Sequence, residues 1–252
     1  MQALRSLIGE SPTSPKVLFI GNSLTSYRAG SVDAMCRKLG FEATAKVTYG
    51  ATLAEIWAQG GWAQTIGAGG YDFVVLQDDL PEYDSLPKAV QHWRELLVPF
   101  LRVVTSFVSA IRAAGATPVL YLAHAYSRLA LTQQHDINLC HVEAEKALSV
   151  AIAPCGLAHH LAHPRLLQVT DFSAPLLEPD REHPSVEGLY LNACCLALVL
   201  RGGVADAADA SALEAALPWA PEDFEGDKAD FLRQVARDAV VAWRTYVADT
   251  TH

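Results

Sequence analysis

"KVLFIGNSLTSY", Lys16 to Tyr27, joins four consecutive apolar residues to a glycine and then to a small polar cluster around Ser23. A continuous apolar run closed by Gly and Asn suits a strand covered on both faces, where an alternating run would leave one face wet. The polar cluster has two readings. Ser23 is either a nucleophile carried at a strand end or a cap or turn former, since Asn and Ser are common at helix starts.

Three other stretches share the character of the first: "EATAKVTY" at 42–49, "YDFVVLQ" at 71–77 and "TPVLYLAH" at 117–124. "CGLAHH" at 155–160 is a weaker fifth candidate. Helical periodicity fills the intervals 29–39, 52–66, 87–114 and 134–152, and such alternation predicts a parallel sheet with right-handed crossovers. The expected fold class is therefore α/β, a three-layer α/β/α sandwich of about five parallel strands. Thr52 and Glu55 in "TLAE" predict a capping box, and Gly40 and Gly115 each follow a helical run that a left-handed residue can end. With 252 residues, 51% of them hydrophobic, the chain can bury a sizeable core as one domain. Residues 1–15 read as an N-terminal extension, and 206–252, amphipathic at 227–248, as terminal helices packed on that domain.

A formal net charge of −9, with no run among the 19 Lys and Arg, argues against a nucleic-acid partner. No stretch approaches the roughly 20 uninterrupted apolar residues of a membrane span, and residues 1–15 lack the apolar core of a signal peptide. A cytoplasmic protein without a membrane partner is the expectation. The five cysteines are irregularly spaced with no C-x-x-C pair, and read as buried thiols; Cys194 and Cys195 lie inside the apolar run "LYLNACCLALVL". "HHLAH" brings His159, His160 and His163 together without a patterned carboxylate, which reads as a surface or strand-end feature. Neither a metal nor another cofactor is expected. Trp57, at helical spacing, reads as core.

"EPDREHPSVEG" places Asp180 and His183 three residues apart, just before a helical run. This spacing lets the acid fix the imidazole tautomer that leaves the other ring nitrogen free as a base. Taken alone, the same residues also read as a solvated helix start with Asp180 as a turn former. Taken with Ser23 they complete the residue set of a serine hydrolase.

At this point the sequence resembles a family, the SGNH or GDSL-type hydrolases, which are serine esterases on a flavodoxin-like sheet. "FIGNSLT" resembles the family's first block, "VTYGAT" its second and "DREHPS" its last, over roughly residues 16–200. The resemblance implies Ser23 as nucleophile, His183 as general base and Asp180 as the acid that orients it. It further implies oxyanion donation by the backbone N–H groups of Ser23 and Gly50. Gly50 also reads simply as a strand-to-helix turn glycine. Two departures stand out: Asn22 occupies the place of the usual Asp, and "VVLQDDLPE" lacks the Gly-x-Asn-Asp of the third block. Gln77 is the nearest amide, either a third oxyanion donor or a partner for a strand-end backbone group.

Two irregular connections, 78–87 and 125–136, follow strand C-termini, where open α/β sheets place their sites. Asn22, Asp78, His124 and Tyr126 are the candidates for lining a substrate there, with Asp79, Glu82 and Arg128 beside them, against ordinary loop packing or solvation. The resemblance implies a small acyl ester as the substrate, such as an O-acetyl group on a carbohydrate or metabolite. An acyltransferase using the same acyl-enzyme, or a binding protein that kept the fold without the chemistry, are the alternatives.

Overall fold

The computed structural model describes residues 14–79, 93–126, 132–166, 176–202, 210–224 and 227–250. Its centre is strand β1, Lys16–Gly21, whose residues from Val17 onward are all buried. β1 is flanked in parallel by β4, Glu42–Val47, in the register Lys16↔Glu42, and by β5, Phe73–Leu76, in the register Val17↔Phe73. β6, Thr117–Tyr121, and β7, Ala151–Ala153, extend the sheet beyond β5 in the order β4-β1-β5-β6-β7. The four main strand assignments thus hold, with ends two or three residues tighter in β4, β5 and β6. A separate hairpin of β2, Ser26–Tyr27, and β3, Gly30–Ser31, interrupts the chain just after β1.

The fifth strand is not 155–160. Cys155–Leu166 is a helix, and the strand lies just before it at Ala151–Ala153, overlapping the end of the stretch expected to be helical. The preceding helix ends at Leu148 because Ser149 turns to positive φ, and Arg112 holds the carbonyls of Leu148 and Ser149 at 2.7 and 3.0 Å. A short apolar run cannot be assigned to strand or helix from periodicity alone.

In chain order the helices are α1 (Val32–Lys38), α2 (Leu53–Ala58), α3 (Trp62–Gly69), α4 (Trp93–Ala113), α5 (Thr132–Leu148), α6 (Cys155–Leu166), α7 (Val186–Leu200), α8 (Ala210–Ala216) and α9 (Lys228–Asp249). α2 to α5 pack with one another, as do α1, α6, α7 and α9, giving helical layers on the two faces of the sheet. α4 shows why: Phe100, Val103, Val104, Phe107, Val108 and Ile111 recur at three- and four-residue steps and are all buried. Trp57 packs its ring edge-on to Phe107 at 4.6 Å. The Thr52–Glu55 capping box forms as expected and starts α2.

α7 is apolar nearly all round and accordingly buried over most of its length. Ser185 caps its N-terminus, accepting from Gly188 N at 3.2 Å. A Cβ on Gly188 would lie 2.1 Å from the Leu176 carbonyl oxygen, so only glycine lets the helix meet the preceding loop this closely. Gly188→Ala is expected to destabilise the fold by about 1–3 kcal/mol. Gly67→Ala, on α3 where a Cβ would meet nothing within 4 Å, is expected to stabilise it by up to about 1 kcal/mol. Urea midpoints of the two variants check this, and a loss at both positions would refute it.

Candidate active site

The strand order makes β1 the point where connections diverge, since the chain passes first to β4 and then back across to β5. The crevice outside the C-terminal ends of β1 and β5 is where such sheets bind ligands. Ser23 emerges from β1 at this place, and Gln77, Asp78 and Asp79 emerge from β5.

Ser23 is not a helix cap. α1 begins only at Val32, and its cap is Ser31, which accepts from Ala34 N at 3.3 Å. Residues 22–25 form a turn closed by Thr25 N donating to Asn22 O at 3.0 Å. Asn22 is fully buried and shapes that turn: its Oδ1 accepts from Leu24 N at 3.0 Å, and its Nδ2 donates to Asp79 Oδ2 at 2.6 Å and Ala51 O at 3.3 Å. Ser23 at the apex keeps 9% of its surface accessible.

Asp180 and His183 meet as the spacing predicted. Residues 176–185 fold back on themselves through Glu178 N to His183 O at 2.7 Å and Ser185 N to Leu176 O at 2.9 Å. Arg181, at φ 63°, turns the chain so that Asp180 Oδ1 accepts from both Glu182 N and His183 N at 3.0 Å. Asp180 Oδ2 accepts from the His183 imidazole at 2.8 Å. An ionised carboxylate can only accept, so Nδ1 carries the hydrogen and Nε2 presents a lone pair. Burial alone would raise the Asp180 carboxyl, but these hydrogen bonds outweigh it and hold it below the usual carboxylate range.

Tyr27, on β2 and four residues past Ser23, stacks face to face on His183 with centroids 3.8 Å apart and planes at 17°. The segment carrying Ser23 and the loop carrying His183 are joined by this stack; among the described residues no hydrogen bond joins Ser23 Oγ to His183. Bonds of this kind commonly tighten only when substrate is bound. Tyr49 approaches Tyr27 edge-on at 6.3 Å, and Gly50 follows it, exposed at φ +65° in the turn between β4 and α2.

Gln77 takes the other of its two roles. Its Oε1 accepts from Asn22 N and Thr25 Oγ1, each at 3.0 Å, and its Nε2 donates to Asp78 O at 2.8 Å, so the carboxamide lies beneath the Ser23 turn and supports it. The four residues expected to line a substrate, Asn22, Asp78, His124 and Tyr126, are all buried. Asp78 Oδ1 accepts from Leu53 N at 2.6 Å and Asp79 N at 2.9 Å, tying β5 to the start of α2. Tyr126 Oη donates to Asp79 Oδ1 at 2.6 Å. Asp79 thereby fixes both Asn22 and Tyr126, and it too is buried where a solvated loop was expected. Glu82 and Arg128 lie outside the described residues. His159 belongs to neither a surface patch nor a strand end: it is buried on α6, while His160 and His163 on the same helix are exposed.

Tyr27 carried no motif that would have singled it out. Asn192 did leave a signal, an amide alone in the apolar run of α7, where a buried polar group requires partners.

No protein-family model matches the sequence, and no curated protein sequence matches it. Solved structures do. A protein provisionally assigned as an SGNH hydrolase from Slackia heliotrinireducens superposes with a TM-score of 0.53 at 26% identity, covering 73% of this chain and 97% of its own. The chain has the SGNH-hydrolase fold. An acetylxylan esterase from Geobacillus stearothermophilus, solved as a catalytic mutant, shares that fold at 16% identity and a TM-score of 0.54, over 74% of this chain and 94% of its own. So does a protein described as a G-D-S-L-family lipolytic protein from Desulfitobacterium hafniense, at 18% identity and 0.53, over 73% and 98%. At "LQDD" the carboxylates of Asp78 and Asp79 are turned inward to hold the Ser23 turn and α2.

Asp78 makes one of these internal roles measurable. Burial pushes its carboxyl up to about 6, against the hydrogen bonds from Leu53 and Asp79, and its Oδ2 is buried without a partner. A value raised on folding favours the folded state below the unfolded carboxyl's pKa of about 4 and loses that benefit as pH rises through about 6. Asp78→Asn keeps an acceptor for Leu53 N without the charge. Its stability relative to the parent is expected to improve between pH 4 and pH 7 by on the order of 1–3 kcal/mol. Urea denaturation at both pH values reads the difference, and a pH-independent gap would refute it.

Proposed function

We propose that the protein is a serine esterase that forms an acyl-enzyme on Ser23. The observation that carries this reading is the Asp180–His183 pair: both carboxylate oxygens are engaged, the tautomer is set, and the ring is stacked on the segment that bears Ser23. Ser23 Oγ attacks the ester carbonyl while His183 Nε2 takes its proton. Asp180 stabilises the imidazolium that forms. The negative charge on the tetrahedral intermediate falls to the backbone N–H groups of Ser23 and Gly50. His183 then returns the proton to the departing alcohol, and a water activated by the same nitrogen releases the acid.

With Gln77 held beneath the turn, oxyanion stabilisation rests on those two backbone donors. Each such donor is worth about 10²–10³ in rate, so the proposed enzyme is slower than one with three. The substrate is a small acyl ester, with an O-acetyl group on a carbohydrate or metabolite the favoured member; an acetylxylan esterase has the same fold. A fluorophosphonate probe is expected to label Ser23, and p-nitrophenyl acetate to be hydrolysed. Ser23→Ala abolishes both, and His183→Ala reduces turnover by about 10³-fold or more. Labelling and turnover that persist in Ser23→Ala, or are absent from the parent protein, would overturn the reading.

A further inference from the structure

Ser23 and His183 stand 160 positions apart in the chain. Beneath them runs a series of buried polar groups that the proposed mechanism does not use. It begins at Leu24, next to Ser23, where the carbonyl accepts from Tyr121 Oη at 3.4 Å. Having given its hydrogen there, the Tyr121 hydroxyl accepts from Asn192 Nδ2 at 2.7 Å. That fixes the amide so that Asn192 Oδ1 accepts from His159 Nε2 at 3.0 Å. The His159 ring lies flat on His124, with centroids 4.5 Å apart and planes at 12°. His124 Nε2 then donates to the carbonyl of Glu182 at 2.7 Å, one residue before His183.

All four side chains are buried. Because Glu182 O can only accept, the hydrogen of His124 sits on Nε2, and Nδ1 is bare, buried and without a partner. Burial brings His124 down to about 4 and pulls His159 well below its ordinary value, so both rings are neutral at neutral pH. An unpartnered buried polar atom is costly, and an apolar ring would fill the space without that cost. What the imidazole adds is the bond to Glu182.

We infer that Tyr121, Asn192, His159 and His124 form an internal brace that sets the position of the His183 loop relative to the Ser23 turn, with His124 the positioning residue at its loop end. The brace joins β6, α6 and α7, three elements of the rigid fold, to the two segments that carry the chemistry. For its catalytic consequence this rests on the serine-esterase reading; its structural consequence stands separately.

The test compares His124→Ala, His124→Gln and Tyr121→Phe with the parent protein. A displacement of about 1 Å can cost about 10²-fold in rate, so His124→Ala is expected to lower kcat on p-nitrophenyl acetate and fluorophosphonate labelling by about tenfold or more, with KM little changed. His124→Gln, which can offer an amide N–H to Glu182 O, should recover most of that loss. Tyr121→Phe removes only the hydroxyl at the other end and should lower kcat several-fold, and it keeps the test decisive if His124→Ala does not fold. In parallel, amide hydrogen exchange across 176–185 should quicken in His124→Ala and return toward the parent in His124→Gln. Parental rates and exchange in His124→Ala or Tyr121→Phe overturn the inference, as does equal loss in the Ala and Gln variants. If the parent shows no Ser23-dependent activity, the esterase reading falls, and the exchange arm alone decides the brace.

Discussion

The structure depends on β1 being paired along both edges. A strand whose residues are buried from Val17 to Gly21 has no solvated side, so its backbone groups are satisfied by β4 and β5 and its side chains by helices on both faces. Since the chain passes from β1 to β4 and then back across to β5, the crevice at the C-terminal end of β1 is where such a sheet binds a ligand. The chain must therefore leave a fully buried strand and reach the surface within a few residues. Asn22, Gln77, Asp79 and Thr25 make that exit possible by supplying the hydrogen bonds that the sheet no longer provides.

The same requirement explains why so many polar side chains near the site face inward. Asp78 and Asp79 look like an acidic loop in the sequence, yet each accepts from groups inside the fold: Leu53 N at the start of α2, Asn22 Nδ2 in the turn and the hydroxyl of Tyr126. Shape at the site is thus set from below by fixed donors and acceptors.

How far the sequence could be read follows from which physics was local. β1, β5 and β6 were legible because burial on both faces writes an unbroken apolar run, and the Thr52–Glu55 box because its two bonds lie within four residues. The Asp180–His183 contact was legible for the same reason. "CGLAHH" was not, since six residues of mixed small and apolar character fit a strand or the first turns of a helix equally, and only packing against α7 and α9 decides. Gln77 and His124 sat at the correct strand ends, but the direction of a side chain there depends on partners tens of residues away, Asn22 and Glu182. His159 was misread because the other two histidines of its cluster, His160 and His163, are exposed while it packs against Asn192 of α7.

The burial of the cysteines has a practical side. All five are enclosed, and burial pushes the thiols of Cys36, Cys140, Cys155 and Cys194 above their ordinary value, so those four present almost no thiolate. Four of the five lie on helices α1, α5 and α7, and Cys155 opens α6 against Asn192 of α7. A thiol reagent added to the native protein can therefore react only through opening of the helical layers, and the rate of its uptake becomes a clock for how often the core comes apart.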